Sequence, residues 1–158
     1  GGGGGGALTI TAASGAATVG ALTALGDVRV SAAGNVYVYE TVSHTGAVTL
    51  AAGGQLRMFD AVTCSLALTA TSNASSPSNG VRVEANAVLT STADAVTIEA
   101  TEAGVYAHAS TAVHAHGGDV RIDARGSIDA PDVIAASGAV HAASAAGGVA
   151  SAPPRPTP

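Results

Sequence analysis

Residues 26–36 of the chain read GDVRVSAAGNV, and two later segments repeat this order of residue types. They are GAVTLAAGGQL at residues 46–56 and GDVRIDARGSI at residues 118–128. In each segment two aliphatic residues stand two positions apart, an alanine follows, and a glycine precedes the next aliphatic residue. Copies of this frame begin at residues 6, 26 and 46 and again at 118 and 138, a spacing of 20 residues within each group.

The spacing of the aliphatic residues predicts short strands with one buried face. The glycines predict sharp turns between these strands. One copy has an apolar face only a few side chains wide, so copies must stack on each other to bury it. The sequence therefore predicts an all-β fold, a single-stranded right-handed parallel β-helix of about eight coils with about 20 residues per coil. The right-handed sense is expected because connections between parallel strands almost always have it.

Stacking predicts three interior ladders, each formed by one frame position in successive coils. The first contains Leu8, Val28, Val48, Leu66, Val81, Val96, Val120 and Val140. The second contains Ile10, Val30, Leu50, Leu68, Val83, Ile98 and Ile122. The third, at a narrow corner, contains Ala12, Ala32, Ala52, Ala70, Ala85, Ala100 and Ala124.

The composition agrees with a thin interior. Hydrophobic residues make up 47% of the 158 residues, but aromatic residues only 3%, and small side chains fill only a narrow core. An antiparallel β-sandwich is the alternative fold, although a sandwich needs no constant period and normally uses larger core residues. The length suits one domain.

Within that domain we expect a flexible glycine-rich start at residues 1–5, the β-helix at residues 6–150 and a disordered proline-rich tail at residues 151–158. A loop is expected at residues 69–80, where Asn73 begins a triplet that matches a glycosylation acceptor. An open stack has unpaired backbone groups at its ends. Homo-oligomers that form through the ends or faces are therefore expected.

Charge and cysteine content bear on possible partners. The net charge is −5, lysine is absent and the six arginines are scattered, which argues against nucleic acid because phosphate binding needs clustered cations. The sequence has no run of about eighteen bulky apolar residues, so it predicts no membrane span. The single cysteine, Cys64, cannot form an internal disulfide and is interpreted as a small buried hydrophobe.

Two clusters of side chains are candidates for chemistry. The predicted stacking places Glu84, Glu99 and Asp123 in one outward row, where close carboxylates would suit acid-base catalysis or calcium binding. Arg82 and Arg121 in the neighbouring row would offset their repulsion, so a structural role is favoured.

The second cluster is His108, His114 and His116, whose spacing can serve zinc, but no further ligand is identified. Tyr37 and Tyr39 are interpreted as strand residues. No catalytic or cofactor motif is recognised, so we expect no enzymatic activity, no cofactor and no metal.

The frame at residues 26–36, with its copies at 46 and 118, resembles the repeats of filamentous haemagglutinin-type adhesins over about residues 6–148. This resemblance implies a long bacterial surface rod exported by two-partner secretion. The amino-terminal secretion domain of that family has no counterpart in these residues.

Three hypotheses for function follow. The first is a non-enzymatic structural or adhesive β-helical rod that belongs to a surface or particle assembly and has a protein or glycan partner. The second is a viral particle component or an orphan structural protein. The third is a polysaccharide-binding or polysaccharide-cleaving β-helix protein. An extracellular, cell-surface or virion location is expected.

Overall fold

The computed structural model describes residues 7–43, 46–74, 79–84, 87–108, 112–130, 133–135, 138–144 and 149–151. In chain order the strands are β1 (Leu8–Ala12), β2 (Ala17–Ala24), β3 (Val28–Ala32), β4 (Val36–Ser43), β5 (Val48–Ala52), β6 (Leu56–Met58), β7 (Val62–Cys64), β8 (Leu68–Ser72), β9 (Asn79–Val83), β10 (Val88–Ser91), β11 (Val96–Ala100), β12 (Gly104–Ala107), β13 (Ala112–Ala115), β14 (Val120–Ala124), β15 (Ile128–Ala130), β16 (Val133–Ala135), β17 (Val140–Ser144) and β18 (Val149–Ser151). Turns join them. These ranges contain no helix, and so none that could span a membrane.

The first sheet contains one strand from each turn of the chain. Its seven strands stack in the order β1, β3, β5, β8, β11, β14 and β17, and every neighbouring pair is parallel. Along β5 the side chains alternate between buried and half-buried, as a strand with one face in the core requires. The chain is therefore an all-β solenoid of stacked coils, as its sequence predicts. The right-handed sense stays a prediction.

The second sheet changes its form along the stack. In the first two turns it contains the eight-residue strands β2 and β4. From the third turn onward a coil uses two shorter strands, and β4 pairs with β6 through Val36–Val38 and with β7 through Thr41 and Val42. One long side of the coil thus divides into two short sides with a corner between them.

The predicted number of coils is wrong, because the fourth turn is longer than the others. The strands of the first sheet begin at residues 8, 28, 48, 68, 96, 120 and 140, so six complete turns separate the first from the last. The fourth turn has 28 residues from Leu68 to Ala95. The sequence pattern predicts two coils in this turn and Val81 in the first sheet, but Val81 pairs with Leu56 in the second.

The predicted ladders are correct outside that turn and shifted within it. Leu68, not Leu66, continues the first ladder between Val48 and Val96. Leu66 occupies the turn position above Gly46, where its amide donates a hydrogen bond to the Gly46 carbonyl, and it is 45% exposed. Because apolar residues stand at every second position from Leu66 to Ala70, a shift of two keeps the same face buried, and alternation alone does not select the register.

The same shift changes the other two ladders. Ala70 belongs to the second ladder, beside Leu50 and Ile98, and Ser72 takes the corner position predicted for Ala70. Val83 pairs with Met58 in the second sheet, and Ala85 lies outside the described residues. The buried Ser72 hydroxyl donates to the Gly54 carbonyl at 2.6 Å and accepts from the Ala74 amide, so its polar atom is satisfied within the core.

The core is a narrow column of aliphatic side chains. Its largest fully buried members include Leu50, Leu56, Met58, Leu68 and Leu89. Corners bring successive backbones very close together. A Cβ atom at Gly53 would collide with the carbonyl oxygen of Ala33, so the corner requires a residue without a side chain.

The expected flexible start at residues 1–5 lies outside the described residues, as do residues 75–78 of the expected loop and residues 152–158 of the expected tail. Ser151, assigned to that tail from the sequence, is the last residue of β18.

Candidate functional site

All the tyrosine and phenylalanine residues of the chain lie on the outer side of the second sheet. The sequence has three tyrosines, one phenylalanine and no tryptophan. Val36 and Val38 point into the core, so Tyr37 and Tyr39 between and after them point outward. Phe59 follows the buried Met58, and Tyr106 lies between the buried residues Val105 and Ala107.

The register arranges these residues in two neighbouring rows that run along the stack. In the first row Tyr37, Arg57, Arg82 and Tyr106 occupy successive coils as register partners. In the second row Tyr39, Phe59, Glu84 and His108 follow one another, as the backbone hydrogen bonds from Phe59 to Val38, from Glu84 to Met58 and from His108 to Val83 show. Residues 37, 39, 57, 59, 82, 84 and 106 together are called the aromatic-arginine face.

The rings and guanidinium groups of this face pack against each other. The rings of Tyr39 and Phe59 stack with centroids 4.9 Å apart and planes inclined by 16°. The Arg57 guanidinium lies 5.0 Å from the Phe59 centroid, and the Arg82 guanidinium lies 4.7 Å from that of Tyr106. Each such contact is worth about 0.5–1 kcal/mol at an exposed site. These contacts favour the arrangement in which the rings and guanidinium groups pack together.

Glu84 joins the two arginines. Its carboxylate accepts hydrogen bonds from Nε and Nη2 of Arg57 at 2.9 and 2.5 Å, and from Nε and Nη2 of Arg82 at 3.2 Å. Burial of Glu84 raises the pKa of its carboxyl, but the hydrogen bonds and charges of Arg82 and Arg57 outweigh this effect and hold the pKa below its ordinary value. Two positive groups share one negative group, so the trio carries a net charge of about +1 at neutral pH.

The predicted row of three carboxylates is only partly formed. Glu99 and Asp123 are register partners on the outer side of the first sheet, as expected. The partner of Glu99 in the preceding coil is Thr71, whereas Glu84 lies on the other sheet among arginines, so its place in this row was wrong. The cause is the fourth turn, a single coil in which the sequence pattern predicts two.

Glu99 and Asp123 line a shallow groove of 450 Å³ at the corner that follows the first sheet. Arg125 and Ser144 also line it, and Nη1 of Arg125 lies 3.8 Å from Oε2 of Glu102. The Ser144 hydroxyl donates to the Gly126 carbonyl at 2.7 Å. The groove thus combines two carboxylates with one arginine, without the third predicted carboxylate.

The three candidate histidines lie in or directly after two different strands. His114 lies in β13 and His116 directly after it, with ring centroids 6.0 Å apart. His108 follows β12, a strand that pairs with β9 and β15 rather than with β13. Within the described ranges no three histidine, cysteine, aspartate or glutamate side chains are placed to hold a metal ion together.

Two other sequence-based interpretations concern single side chains. Cys64 is buried, its thiol donates to the Leu66 carbonyl at 3.1 Å, and burial raises the pKa of the thiol, which confirms a small core residue. Asn73 lies at the end of β8, and its amide oxygen accepts a hydrogen bond from the Thr101 hydroxyl at 2.9 Å. Its glycosylation stays a prediction.

The sequence pattern alone does not predict the aromatic-arginine face, although part of the signal is present in it. Tyr37 and Arg57 are 20 residues apart, as are Tyr39 and Phe59, so the repeat already makes them neighbours. Arg82 and Tyr106 follow at irregular distances that only the register of the long fourth turn explains. No protein-family model matches the chain, and comparisons with curated proteins and with solved structures gave no match.

Proposed function

We propose that this chain forms a non-enzymatic structural or adhesive rod whose aromatic-arginine face is its contact surface, as part of an extracellular or particle assembly. One observation carries the proposal: a chain poor in aromatic residues places all four tyrosine and phenylalanine side chains on one outer face. Aromatic residues and arginine are the types enriched where proteins bind partners. The resemblance to filamentous haemagglutinin-type repeats supports the same role.

The shape of the solenoid supports an adhesive role as well. Each coil contacts only its neighbours, so the outer residues of successive coils form straight rows at a spacing of about 4.8 Å. Such rows present several contact groups to an extended surface or polymer at the same time. Rigid rings, which lose little conformational entropy on binding, are suited to this task.

Adhesion of coated beads tests the proposal. Beads that carry the purified chain are counted on layers of cultured cells and on films of matrix protein or polysaccharide, beside beads that carry albumin. We expect retention on at least one of these surfaces. We expect the double variant Tyr39→Ser/Arg57→Gln to lose most of it, because both a ring and a charge of the face are removed.

The matched control is the variant Arg29→Gln/Arg121→Gln, which removes two exposed charges from the outer side of the first sheet. Its retention should equal that of the unmodified chain. Retention no better than that of albumin on every surface, or equal losses for the two double variants, would contradict the proposal. Release of reducing ends from any polysaccharide film by the purified chain would contradict its non-enzymatic part.

A further inference from the structure

One face of the Tyr39 ring is open. Phe59 covers the other face at 4.9 Å. In the preceding coil Val19 pairs with Val38 and Ala21 pairs with Glu40. The residue beside Tyr39 in that coil is therefore Gly20. A Cβ atom at Gly20 would meet nothing within 4 Å, and Tyr39 is 45% exposed. The row of outer side chains therefore has a gap at Gly20. The gap borders the Tyr39 ring, whose other face stacks on Phe59.

The neighbouring row has guanidinium donors that no described residue accepts a hydrogen bond from. Arg57 and Arg82 each present Nε and Nη2 to Glu84, and their side chains are 35% and 31% exposed. The Nη1 groups of both arginines make no hydrogen bond to the described residues. A guanidinium group is planar and matches a carboxylate through paired N–H donors. The excess positive charge of the trio favours an anionic ligand.

We propose that the aromatic-arginine face binds an acidic polysaccharide built from uronate sugars, laid along the rod axis. One sugar ring stacks on the open face of Tyr39 above Gly20, and carboxylates of later sugars reach the free donors of Arg57 and Arg82. Tyr rings suit this role because they combine an apolar body with a polar tip. The inference rests on the proposed adhesive function and names its ligand class.

The charges along the rod limit the length of this site. Asp129 is the register partner of Tyr106 in the next coil and is exposed. Its negative charge repels a polyuronate beyond Tyr106. The bound stretch therefore runs from the coil of Gly20 to the coil of Tyr106. These two coils are four strand spacings apart, which is about 19 Å at about 4.8 Å per spacing.

Binding of the full chain to polygalacturonate tests the proposal, with fully methyl-esterified pectin as the uncharged control of the same ring structure. Dextran sulfate serves as an anion without carboxylates. We expect the polyuronate to bind, the ester to bind at least about tenfold more weakly, and binding to fall in about 1 M salt, where the Debye length is about 3 Å. Dextran sulfate should bind more weakly than the polyuronate.

Matched variants locate the site. Arg57→Gln leaves Glu84 paired with Arg82 and should lower the affinity about tenfold, whereas Arg29→Gln on the opposite side, with the same change of charge, should alter it less than about twofold. Tyr39→Ser should lower it about tenfold by removing the stacking ring. Asp129→Asn should raise it about twofold to threefold by removing the repulsion.

Gly20→Val separates binding from folding. A Cβ atom at this position meets nothing within 4 Å and valine favours β-strands, so the melting temperature should stay equal or rise. The valine methyl groups cover the Tyr39 ring, so the affinity for polygalacturonate should fall at least about fivefold if a sugar stacks there. A stable Gly20→Val variant with unchanged affinity would overturn the stacking site.

The remaining outcomes are also decisive. Equal binding of the ester and the polyuronate, or equal effects of Arg57→Gln and Arg29→Gln, would overturn the role of the guanidinium groups. Coated beads that adhere through the aromatic-arginine face while polygalacturonate does not bind would overturn the ligand class and leave the adhesive function intact. If the coated beads do not adhere but polygalacturonate binds and Arg57→Gln weakens this binding, the adhesive function would be overturned and the ligand class would stand.

Discussion

Glu84 is the side chain on which the positions of two guanidinium groups depend. Only 14% of it is exposed, and Arg57 and Arg82 hold its pKa below the ordinary value. A lowered pKa stabilises the folded state above the unfolded-state pKa, about 4.3 for glutamate, and this stabilisation is lost as the pH falls through the folded-state pKa. We expect Glu84→Gln to cost about 1–2 kcal/mol at pH 7, because both arginines lose their charged acceptor.

The measurement is urea unfolding at pH 7 and at about pH 3, the latter below the ordinary glutamate pKa. The difference in stability between Glu84→Gln and the unmodified chain should shrink at the lower pH, because the unfolded chain binds a proton at Glu84 more readily than the folded chain does. Glu99→Gln is the matched control, since Glu99 is exposed and outside the trio, and it should change stability by less than about 0.5 kcal/mol at either pH. A Glu84 effect that does not depend on pH would show that packing rather than charge determines its contribution.

At the scale of single elements, the corners determine which glycines can be replaced. A Cβ atom at Gly53 collides with the Ala33 backbone, whereas one at Gly20 meets open space, and neither residue has a positive φ. Gly53→Ala should therefore destabilise the fold by about 1–3 kcal/mol through the forced separation of two coils. Gly20→Ala should stabilise it by about 0.5–1 kcal/mol, because glycine weakens a strand interior. Thermal unfolding of both variants checks the pair, and a Gly53→Ala variant as stable as Gly20→Ala would contradict the corner geometry.

The strands also show what the sequence could and could not predict. Alternation and the repeated frame correctly placed β1, β3, β5, β11, β14 and β17 in one sheet, because each has apolar residues at its first and third positions. The frame failed at β8, where Leu66 stands in the turn position that Gly46 occupies in the preceding coil. A parallel stack tolerates longer connections between the strands of one coil, so chain distance does not report which strands are neighbours there.

The irregular fourth turn also explains which residues of the candidate site the sequence places correctly and which it does not. Glu99 and Asp123 lie in coils joined by the regular frame, and their adjacency was predicted correctly. Glu84 follows the irregular stretch, and its partners Arg57 and Arg82 become evident only when β6 and β9 are paired. The aromatic-arginine face depends on the same pairing, so the sequence shows its first half, at Tyr37, Tyr39, Arg57 and Phe59, more clearly than its second.

For the whole molecule, a stack in which each coil contacts only its neighbours should tolerate the loss of one complete coil. Removal of residues 120–139 joins Asp119 to Val140 and allows β17 to take the place of β14 on β11, with Val140 beside Val96 and Ala142 beside Ile98. The ladders stay continuous, so we expect a folded, shorter solenoid that retains the aromatic-arginine face.

Removal of residues 120–129, half a turn, instead places a second-sheet segment after Asp119 and interrupts every ladder. Circular dichroism and thermal unfolding should show a cooperative transition for the 20-residue deletion, lowered by several degrees through the lost burial. The ten-residue deletion should lose that cooperativity, and equal behaviour of the two deletions would mean that the coils are not independent repeating units.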